Sequence, residues 1–349
     1  MKILIVKTSA IGDVTHTLPA LNAIRAHFPK AHITWLVEEA SAEIVKGHRA
    51  INRVLICKRK QWIKNLLRPG LLKRSLKDIH KFIKALRDTD YDIVIDFQGL
   101  LKSGIWVFLS KGKQKLGFGP GMAHAEYSHI FYNRRVPAVS MEHHAIDREL
   151  MLLSGIGISC KNVNFDFPCE TYHREKVENL LQAYNILKTD RVVAINPLAR
   201  WDTKLWEFHK FAAVADWLRG MGFKVCFTGA PDDFYEIEKI RSLMNHESVN
   251  LAGKTSLKTL AALYKNAELL LTTDTGPMHI AAAIKTPVVA LFGPTAPWRT
   301  GPYGDGHQVI QVKMECIPCF KRTCNTCACM AQITAEMVIN RLKKILLMG

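Results

Sequence analysis

An uninterrupted apolar run near the start of the chain leads directly into a loop that ends on a carboxylate. Residues 3–6 read Ile-Leu-Ile-Val, and a loop of mostly small residues carries the chain on to Asp13. A run without polar alternation is typical of a parallel strand that is covered on both faces. Because open α/β sheets bind ligands at the carboxyl ends of their strands, the pattern predicts that Asp13 borders a ligand site. The loop has Gly12 but no G-x-G-x-x-G, which disfavours a dinucleotide site at this position.

Asp13 also has a purely structural explanation. A helix is predicted to begin near Thr17, and acidic residues at helix N-termini are common and mildly stabilising. The residues alone leave both roles open.

The same strand and helix alternation runs twice along the 349 residues, which are enough for two domains with a full core each. Helical spacing separates the predicted strands, which favours parallel sheets with right-handed crossovers. The sequence therefore predicts an α/β fold of two doubly wound domains that face a cleft. The predicted strands are residues 2–7, 32–39, 53–58 and 92–97, then 191–197, 224–230, 249–253, 268–274 and 287–293. The predicted boundaries are 1–165, a linker at 166–190, 191–330, and a closing amphipathic helix in 331–349.

The net charge of +17 is the extreme value of the composition and implies an acidic partner. Lys and Arg recur throughout residues 53–87, where Asp78 is the one acid, with apolar residues between them. Such a segment suits an anionic membrane surface or a polyanionic substrate, and an ordinary solvated face is the alternative. Signatures of nucleic-acid-binding folds are lacking, so no nucleic-acid partner is expected. Without a signal-peptide pattern or a membrane-length apolar run, we expect a cytoplasmic protein.

A second loop with binding character follows the predicted strand 268–274. Asp274 ends that strand, and Pro277 stands where proline is favoured in the first turn of a helix. The amides of Thr275 and Gly276 would then form an anion site suited to a pyrophosphate. A phosphate would repel Asp274, so its expected role is to bind sugar hydroxyls or to order the loop. The alternative is a turn that needs Gly and Pro for geometry alone.

Two further loops follow predicted strands of the second half. Arg200 and Lys204 come after the strand 191–197, where their cations can reach diphosphate oxygens. Asp233 comes after the strand 224–230, where an acid can bind ribose hydroxyls. An exposed loop lysine is otherwise only solvated.

Three segments together carry a family resemblance: residues 6–19, residues 94–103, and Asp274-Thr275-Gly276 with His279. The chain resembles the lipopolysaccharide heptosyltransferases of glycosyltransferase family 9 along nearly its whole length. The resemblance implies a GT-B fold with ADP-heptose as donor in the C-terminal domain and a Kdo sugar of lipid A as acceptor in the N-terminal domain. It also implies an inverting transfer that needs no metal or cofactor, on the cytoplasmic face of the inner membrane.

The resemblance assigns roles to individual residues. Asp13 matches the general base that takes the proton from the attacking Kdo hydroxyl. Thr255 lies where the family lines the adenine pocket, and Asp233 lies where an acid meets the ribose. The remaining donor-binding residues are expected to be Arg200, Lys204, Asp274, Thr275, Gly276 and His279. Lys60, Lys64 and His144 match positions that meet the Kdo carboxylates.

Two features depart from the pattern. His124 stands where an acceptor-binding arginine is expected, so the acceptor can differ in detail. Cysteines at 316, 319, 324, 327 and 329 resemble a pattern of other family members, and a structural metal or reduced thiols both fit their spacing. The alternatives to the main prediction are transfer to an already heptosylated core and, more distantly, a non-catalytic nucleotide-binding module or a nucleic-acid binder.

Overall fold

The computed structural model describes residues 1–123, 125–160 and 162–346. His124 and the last three residues of the predicted closing segment 331–349 lie outside the described residues. The chain divides into two compact units, residues 1–168 and the residues from 169 onward. Each unit is built on a six-stranded parallel sheet with helices, which confirms the predicted α/β class.

The first sheet has the strand order β3-β2-β1-β4-β5-β6, with all strands parallel. Ile3, Leu4, Ile5 and Val6 of β1 are fully buried, as their uninterrupted apolar pattern predicts for a central strand. The strands are β1 (Lys2–Val6), β2 (His32–Glu38), β3 (Arg53–Cys57), β4 (Asp90–Asp96), β5 (Lys111–Phe118) and β6 (Arg134–Val136).

Seven α-helices belong to the described part of the first unit. The predicted helix after Thr17 is α2, and an additional short helix, α1, precedes it and contains Asp13. The helices are α1 (Ile11–His16), α2 (Leu18–His27), α3 (Ala42–Val45), α4 (Arg59–Leu66), α5 (Leu72–Leu86), α6 (Leu101–Leu109) and α7 (Ala145–Leu152).

The second sheet has the order β12-β11-β10-β7-β8-β9, again all parallel. Its strands are β7 (Val192–Asn196), β8 (Lys224–Phe227), β9 (Val249–Asn250), β10 (Leu269–Thr273), β11 (Val288–Leu291) and β12 (Gln308–Ile310). Its helices are α8 (Thr171–Gln182), α9 (Phe208–Gly220), α10 (Phe234–Ser242), α11 (Leu257–Asn266), α12 (Gly276–Ala283), α13 (Pro297–Thr300), α14 (Ala328–Ala331) and α15 (Ala335–Leu346).

The two ends of the second unit pack onto its core. Val338 and Leu342 of α15 are buried together with Trp206, whose indole N–H donates to the carbonyl oxygen of Ile333 at 2.9 Å. Residues 169–190, most of the predicted linker, fall inside this unit, where α8 packs against α11. The assignment of the acceptor to one domain and the donor to the other stays a prediction.

Strand order reverses once in each sheet. In the first sheet, β2 and β3 extend to one side of β1, while β4, β5 and β6 extend to the other. In the second sheet, β8 and β9 lie on one side of β7, and β10, β11 and β12 lie on the other. At such a reversal the connections leave in opposite directions, so a crevice opens at the carboxyl ends of the two adjacent strands. The structure therefore has two such positions, at β1 with β4 and at β7 with β10.

None of the helices in the described ranges combines the length and the apolar character that crossing a membrane requires.

Candidate active site

Asp13 lies in the first turn of α1, at the carboxyl end of β1. Its Oδ2 accepts a hydrogen bond from the backbone N–H of Ala10 at 2.9 Å. The acid thus helps to start α1 rather than the helix after Thr17, which corrects the predicted structural role. The side chain is half-buried, so this hydrogen bond leaves it open to a ligand as well.

A cavity of about 220 Å³ opens next to Asp13 at the carboxyl ends of β1 and β4. Polar groups and small or apolar side chains line it together, as is typical of sites for small polar ligands. The charged and amide side chains of its lining are Lys7, Asp13, Asp96, Gln98, Arg148 and Glu149.

Gln98 ties the two loops of this cavity together. Its Oε1 accepts from the backbone N–H of Thr8 at 3.0 Å, from the Thr8 hydroxyl at 3.0 Å and from the backbone N–H of Ser9 at 2.9 Å. The loop that leads to Asp13 is therefore held by the strand end of β4, which fixes the start of α1 relative to the cavity.

Asp96 is buried at the end of β4, and its carboxylate is occupied by hydrogen bonds within the protein. Its carboxylate accepts from the backbone N–H groups of Gln98 and Gly99 and from the hydroxyls of Ser103 and Tyr132, at 2.8–3.0 Å. Burial raises the pKa of Asp96, although these four donors oppose the shift. Asp96 shapes the loop after β4 and is not available as the base.

Lys7 lies at the end of β1 and is 6% exposed. Its ammonium donates to Glu149 Oε1 at 2.5 Å and to the carbonyl oxygen of Phe97 at 3.0 Å. Burial lowers the pKa of Lys7, but the carboxylates of Glu149, Asp13 and Asp96 outweigh it, and the net shift is upward. Lys7 therefore stays charged and partly neutralises a site with three carboxylates.

The predicted acceptor residues surround this edge of the sheet without lining the cavity. Lys60 and Lys64 are exposed, one turn apart on α4, which directly follows the carboxyl end of β3. His144 precedes α7, where its Nδ1 accepts from the backbone N–H of Ile146 at 3.2 Å, and its ring lies 5.3 Å from the ring of His16.

In the second unit, the loops after β7 and β10 meet through a salt bridge. The Lys204 ammonium lies 2.6 Å from Asp274 Oδ2, which also accepts from the Thr295 hydroxyl at 2.7 Å. The same ammonium lies 4.5 Å from the centre of the Trp201 ring. Asp274 thus orders the loop, one of its two predicted roles, and it holds Lys204 at the strand reversal.

The loop after β10 runs into α12 as the sequence predicts. Thr275 has extended backbone immediately before the helix, Gly276 is the first helical residue, and Pro277 lies in the first turn. His279 lies one turn further and is 8% exposed. The Lys204 ammonium also donates to the carbonyl oxygen of Asp274 at 3.4 Å, two residues before α12 begins, so its charge adds to the positive potential of the helix start.

The other predicted donor residues follow the same strand edge. Asp233 comes after β8, and its Oδ2 accepts from the backbone N–H of Ala230 at 2.7 Å. Thr255 comes after β9, and the two loops touch because the N–H of Gly253 donates to the carbonyl oxygen of Gly229 at 3.0 Å. Arg200 is exposed in the loop after β7.

The cysteine segment packs beside these loops. The backbone N–H groups of Cys319 and Phe320 donate to the carbonyl oxygen of Pro294, and the Thr203 hydroxyl donates to that of Lys321 at 2.8 Å. All five cysteines of the segment are free thiols. Within residues 1–123, 125–160 and 162–346, no group of three or more His, Cys, Asp or Glu side chains is placed to hold a metal ion.

Sequence reasoning did not single out Glu149 or Arg148. Glu149 lies on the buried face of α7, about one turn after Ile146 and one turn before Leu152. An acid at helical spacing from apolar residues was the available signal. Its partner Lys7 lies 142 residues away in the chain, so the pair itself could not be predicted.

Comparison with known proteins gives consistent results. The sequence profile of glycosyltransferase family 9 (heptosyltransferase) matches residues 79–329. Lipopolysaccharide heptosyltransferase 1 of Pseudomonas aeruginosa is 33% identical over 93% of this chain and 87% of its own. The E. coli heptosyltransferase WaaC solved with ADP is 26% identical and has a TM-score of 0.80, over 99% of this chain and all of that one. WaaC with ADP-2-deoxy-2-fluoro heptose gives a TM-score of 0.78 at 26% identity, over 99% of each chain.

The salt bridge at the second strand reversal yields a prediction. Replacing Lys204 by Ala removes the ammonium that contacts Asp274, so a bound diphosphate would face an uncompensated carboxylate. We expect Lys204→Ala to weaken ADP binding about tenfold or more, measured by calorimetric titration. The matched control is Lys210→Ala, which removes an ammonium from α9 of the same unit. Unchanged ADP affinity in Lys204→Ala would show that this lysine only orders its loop.

Proposed function

The chain belongs to glycosyltransferase family 9, the heptosyltransferase family, and on that premise we propose that it transfers a heptose from ADP-heptose to a Kdo sugar of lipid A. The transfer is inverting and needs no metal ion. The observation that carries the proposal is the order of polar residues along the carboxyl edge of the second sheet.

That order follows the parts of an ADP-sugar. Across the neighbouring strands β10, β7, β8 and β9, the loops carry Asp274 to Gly276, then Lys204, then Asp233, then Thr255. A diphosphate at the start of α12 would meet the Lys204 ammonium, and the ribose and adenine would follow toward Asp233 and Thr255. The heptose ring would then lie near Asp274 and His279. The arrangement supports a nucleotide sugar as donor.

In the proposed reaction, Asp13 removes the proton from the attacking hydroxyl of the acceptor as its oxygen bonds to the anomeric carbon of the heptose. The bond from that carbon to the diphosphate oxygen breaks with its electron pair, and ADP leaves from the opposite face. This single displacement inverts the anomeric configuration. The Lys204 ammonium and the N–H groups at the start of α12 stabilise the charge that develops on ADP, which is the work a divalent ion would otherwise do.

The first unit supports an acidic sugar as acceptor. Lys60 and Lys64 present cations at the carboxyl edge of the first sheet, where the cavity beside Asp13 also opens. Kdo carboxylates would pair with such cations, and His144 extends the same polar surface. We favour an acceptor without heptose because a relative of this chain is named lipopolysaccharide heptosyltransferase 1. An already heptosylated core is the alternative.

The basic segment also supports contact with an anionic membrane, at the cytoplasmic face of the inner membrane where lipid A precursors would be met. Apolar side chains stand exposed among its cations, with Leu67 at 82% and Leu76 at 53%. An ordinary solvated face would leave few such side chains in water. Lys73, Arg74 and Lys77 on α5 would bind anionic headgroups beside them.

The activity is tested directly by incubating the protein with ADP-heptose and Kdo-lipid A and measuring the mass of the acceptor by mass spectrometry. We expect the acceptor to gain one heptose, and an excess of EDTA to leave the rate unchanged. An already heptosylated acceptor, run in parallel, separates the alternative. Loss of transfer on chelation, with recovery on adding magnesium, would contradict the metal-free mechanism.

The proposed base yields a second prediction. Asp13→Asn keeps an oxygen that can accept from the Ala10 N–H but cannot take a proton, so kcat should fall on the order of 10²–10⁴-fold with little change in melting temperature. Steady-state kinetics and thermal unfolding measure the two quantities. A variant that remains active but melts earlier would support the structural role of Asp13 in starting α1.

The acceptor surface yields a third. Lys60→Gln with Lys64→Gln should raise KM about tenfold or more for a water-soluble Kdo acceptor without acyl chains, and leave KM for ADP-heptose unchanged. The matched control neutralises Lys73, Arg74 and Lys77, which should mainly reduce sedimentation with anionic vesicles, by an amount that shrinks as salt rises because salt screens these charges in the unmodified protein. Unchanged acceptor kinetics in the first variant would show that these lysines form only a solvated face.

A further inference from the structure

A buried ion pair borders the cavity beside Asp13, and one of its carboxylate oxygens accepts no hydrogen bond. Lys7 and Glu149 are 6% and 7% exposed, and their side chains meet at 2.5 Å through Glu149 Oε1. Glu149 Oε2 is buried and has no hydrogen-bond partner in the described part of the chain, because the neighbouring Thr17 hydroxyl donates its proton to the carbonyl oxygen of Asp13 at 2.9 Å. Both residues line the cavity, together with Asp13. A buried carboxylate oxygen without a donor is costly, which calls for a group that pairs with it.

The chemistry of the pair limits what that group can be. A carboxylate only accepts hydrogen bonds, so the partner must be a donor. Lys7 already neutralises the charge of Glu149, so a second cation would find no net negative charge on the pair. A neutral donor suits the position better, and hydroxyls are the neutral donors that sugars supply.

We propose that Glu149 binds a hydroxyl of the acceptor sugar through Oε2, with Lys7 as the positioning residue that holds the carboxylate in place. The inference rests on the proposed function, because it takes the ligand of this cavity to be a carbohydrate. It adds to Asp13 a second carboxylate that touches the acceptor without taking its proton. The bound hydroxyl is thereby fixed relative to Asp13, which lies at the same cavity.

Lys7 suits this positioning role because it is itself held from two sides. Its ammonium donates to Glu149 and to the carbonyl oxygen of Phe97 at the end of β4, while its own carbonyl oxygen accepts from the indole N–H of Trp35 at 3.1 Å. The ammonium therefore joins three elements, β1, β4 and α7, at one point. Glu149 has its Oε1 fixed by this contact, which leaves Oε2 as the ligand atom.

Single substitutions would leave one buried charge unpaired and can unfold the protein, so the test uses double variants. Lys7→Met with Glu149→Met replaces the pair by apolar side chains of similar length. It also removes Glu149 Oε2, the oxygen that accepts the hydrogen bond from the sugar. Lys7→Met with Glu149→Gln also removes both charges but keeps an oxygen that accepts from a hydroxyl. The matched control, Lys113→Met with Asp92→Asn, removes a 3.0 Å ion pair near the amino ends of β4 and β5.

Steady-state kinetics are measured with ADP-heptose and a soluble Kdo acceptor, with melting temperature and ADP affinity as checks on folding. We expect KM for the acceptor to rise about 10- to 100-fold in the Met/Met variant, with KM for ADP-heptose unchanged. The Met/Gln variant should recover most of that loss, and the control should match the unmodified protein. This recovery is what a role limited to packing would not produce.

An unchanged acceptor KM in a folded Met/Met variant would overturn the inference, as would equal losses in the Met/Met and Met/Gln variants. If the unmodified protein transfers heptose and either of these results is found, only the inference about Glu149 fails, and the proposed function stands. A lack of transfer by the unmodified protein would refute the proposed function and this inference with it.

Discussion

The reversal of strand order within each parallel sheet is the constraint on which the rest of this structure depends. Crossover connections cover both faces of a sheet, but they diverge where the order reverses, and two strand ends stay open side by side. In the first sheet these are the ends of β1 and β4, which carry Asp13 and Gln98. In the second sheet they are the ends of β7 and β10, which carry Lys204 and Asp274. The polar residues with a proposed role are concentrated where backbone topology leaves room for a ligand.

Each reversal is fastened by a lysine and a carboxylate, and the two pairs differ in burial. The Lys7 to Glu149 pair is almost wholly buried, and α7 brings its acid from outside the sheet. The Lys204 to Asp274 pair joins the two loops directly and keeps 15% of the lysine side chain exposed. A partly exposed ammonium can turn toward an incoming phosphate, while a buried one can only hold its partner. The difference fits a cation that binds substrate in the second unit and one that positions a carboxylate in the first.

The sequence predicted the central strands well because burial on both faces leaves a distinct apolar run. β5 was missed since its sequence alternates Lys, Gly and Gln before Leu116, and edge strands such as β6 and β12 have only three residues. Asp13 and Lys204 were placed at strand ends because the loops follow those strands immediately. The position of Glu149 depends on how α7 packs, 142 residues from Lys7 in the chain, and no local pattern encodes it. Helix α8 lies within the predicted linker and was not predicted, because the apolar residues of α8 are few and widely spaced.

The central claim is that the second unit binds the nucleotide and the first unit binds the acceptor sugar, each at its own strand reversal. Amide hydrogen exchange followed by mass spectrometry tests this most directly, with ADP alone and with a soluble Kdo acceptor alone. ADP should slow exchange in residues 197–206 and 274–279, and the Kdo sugar should slow exchange in residues 7–14 and 96–100. Protection of the same segments by both ligands, or protection of residues 7–14 by ADP with no response to the Kdo sugar, would contradict the account.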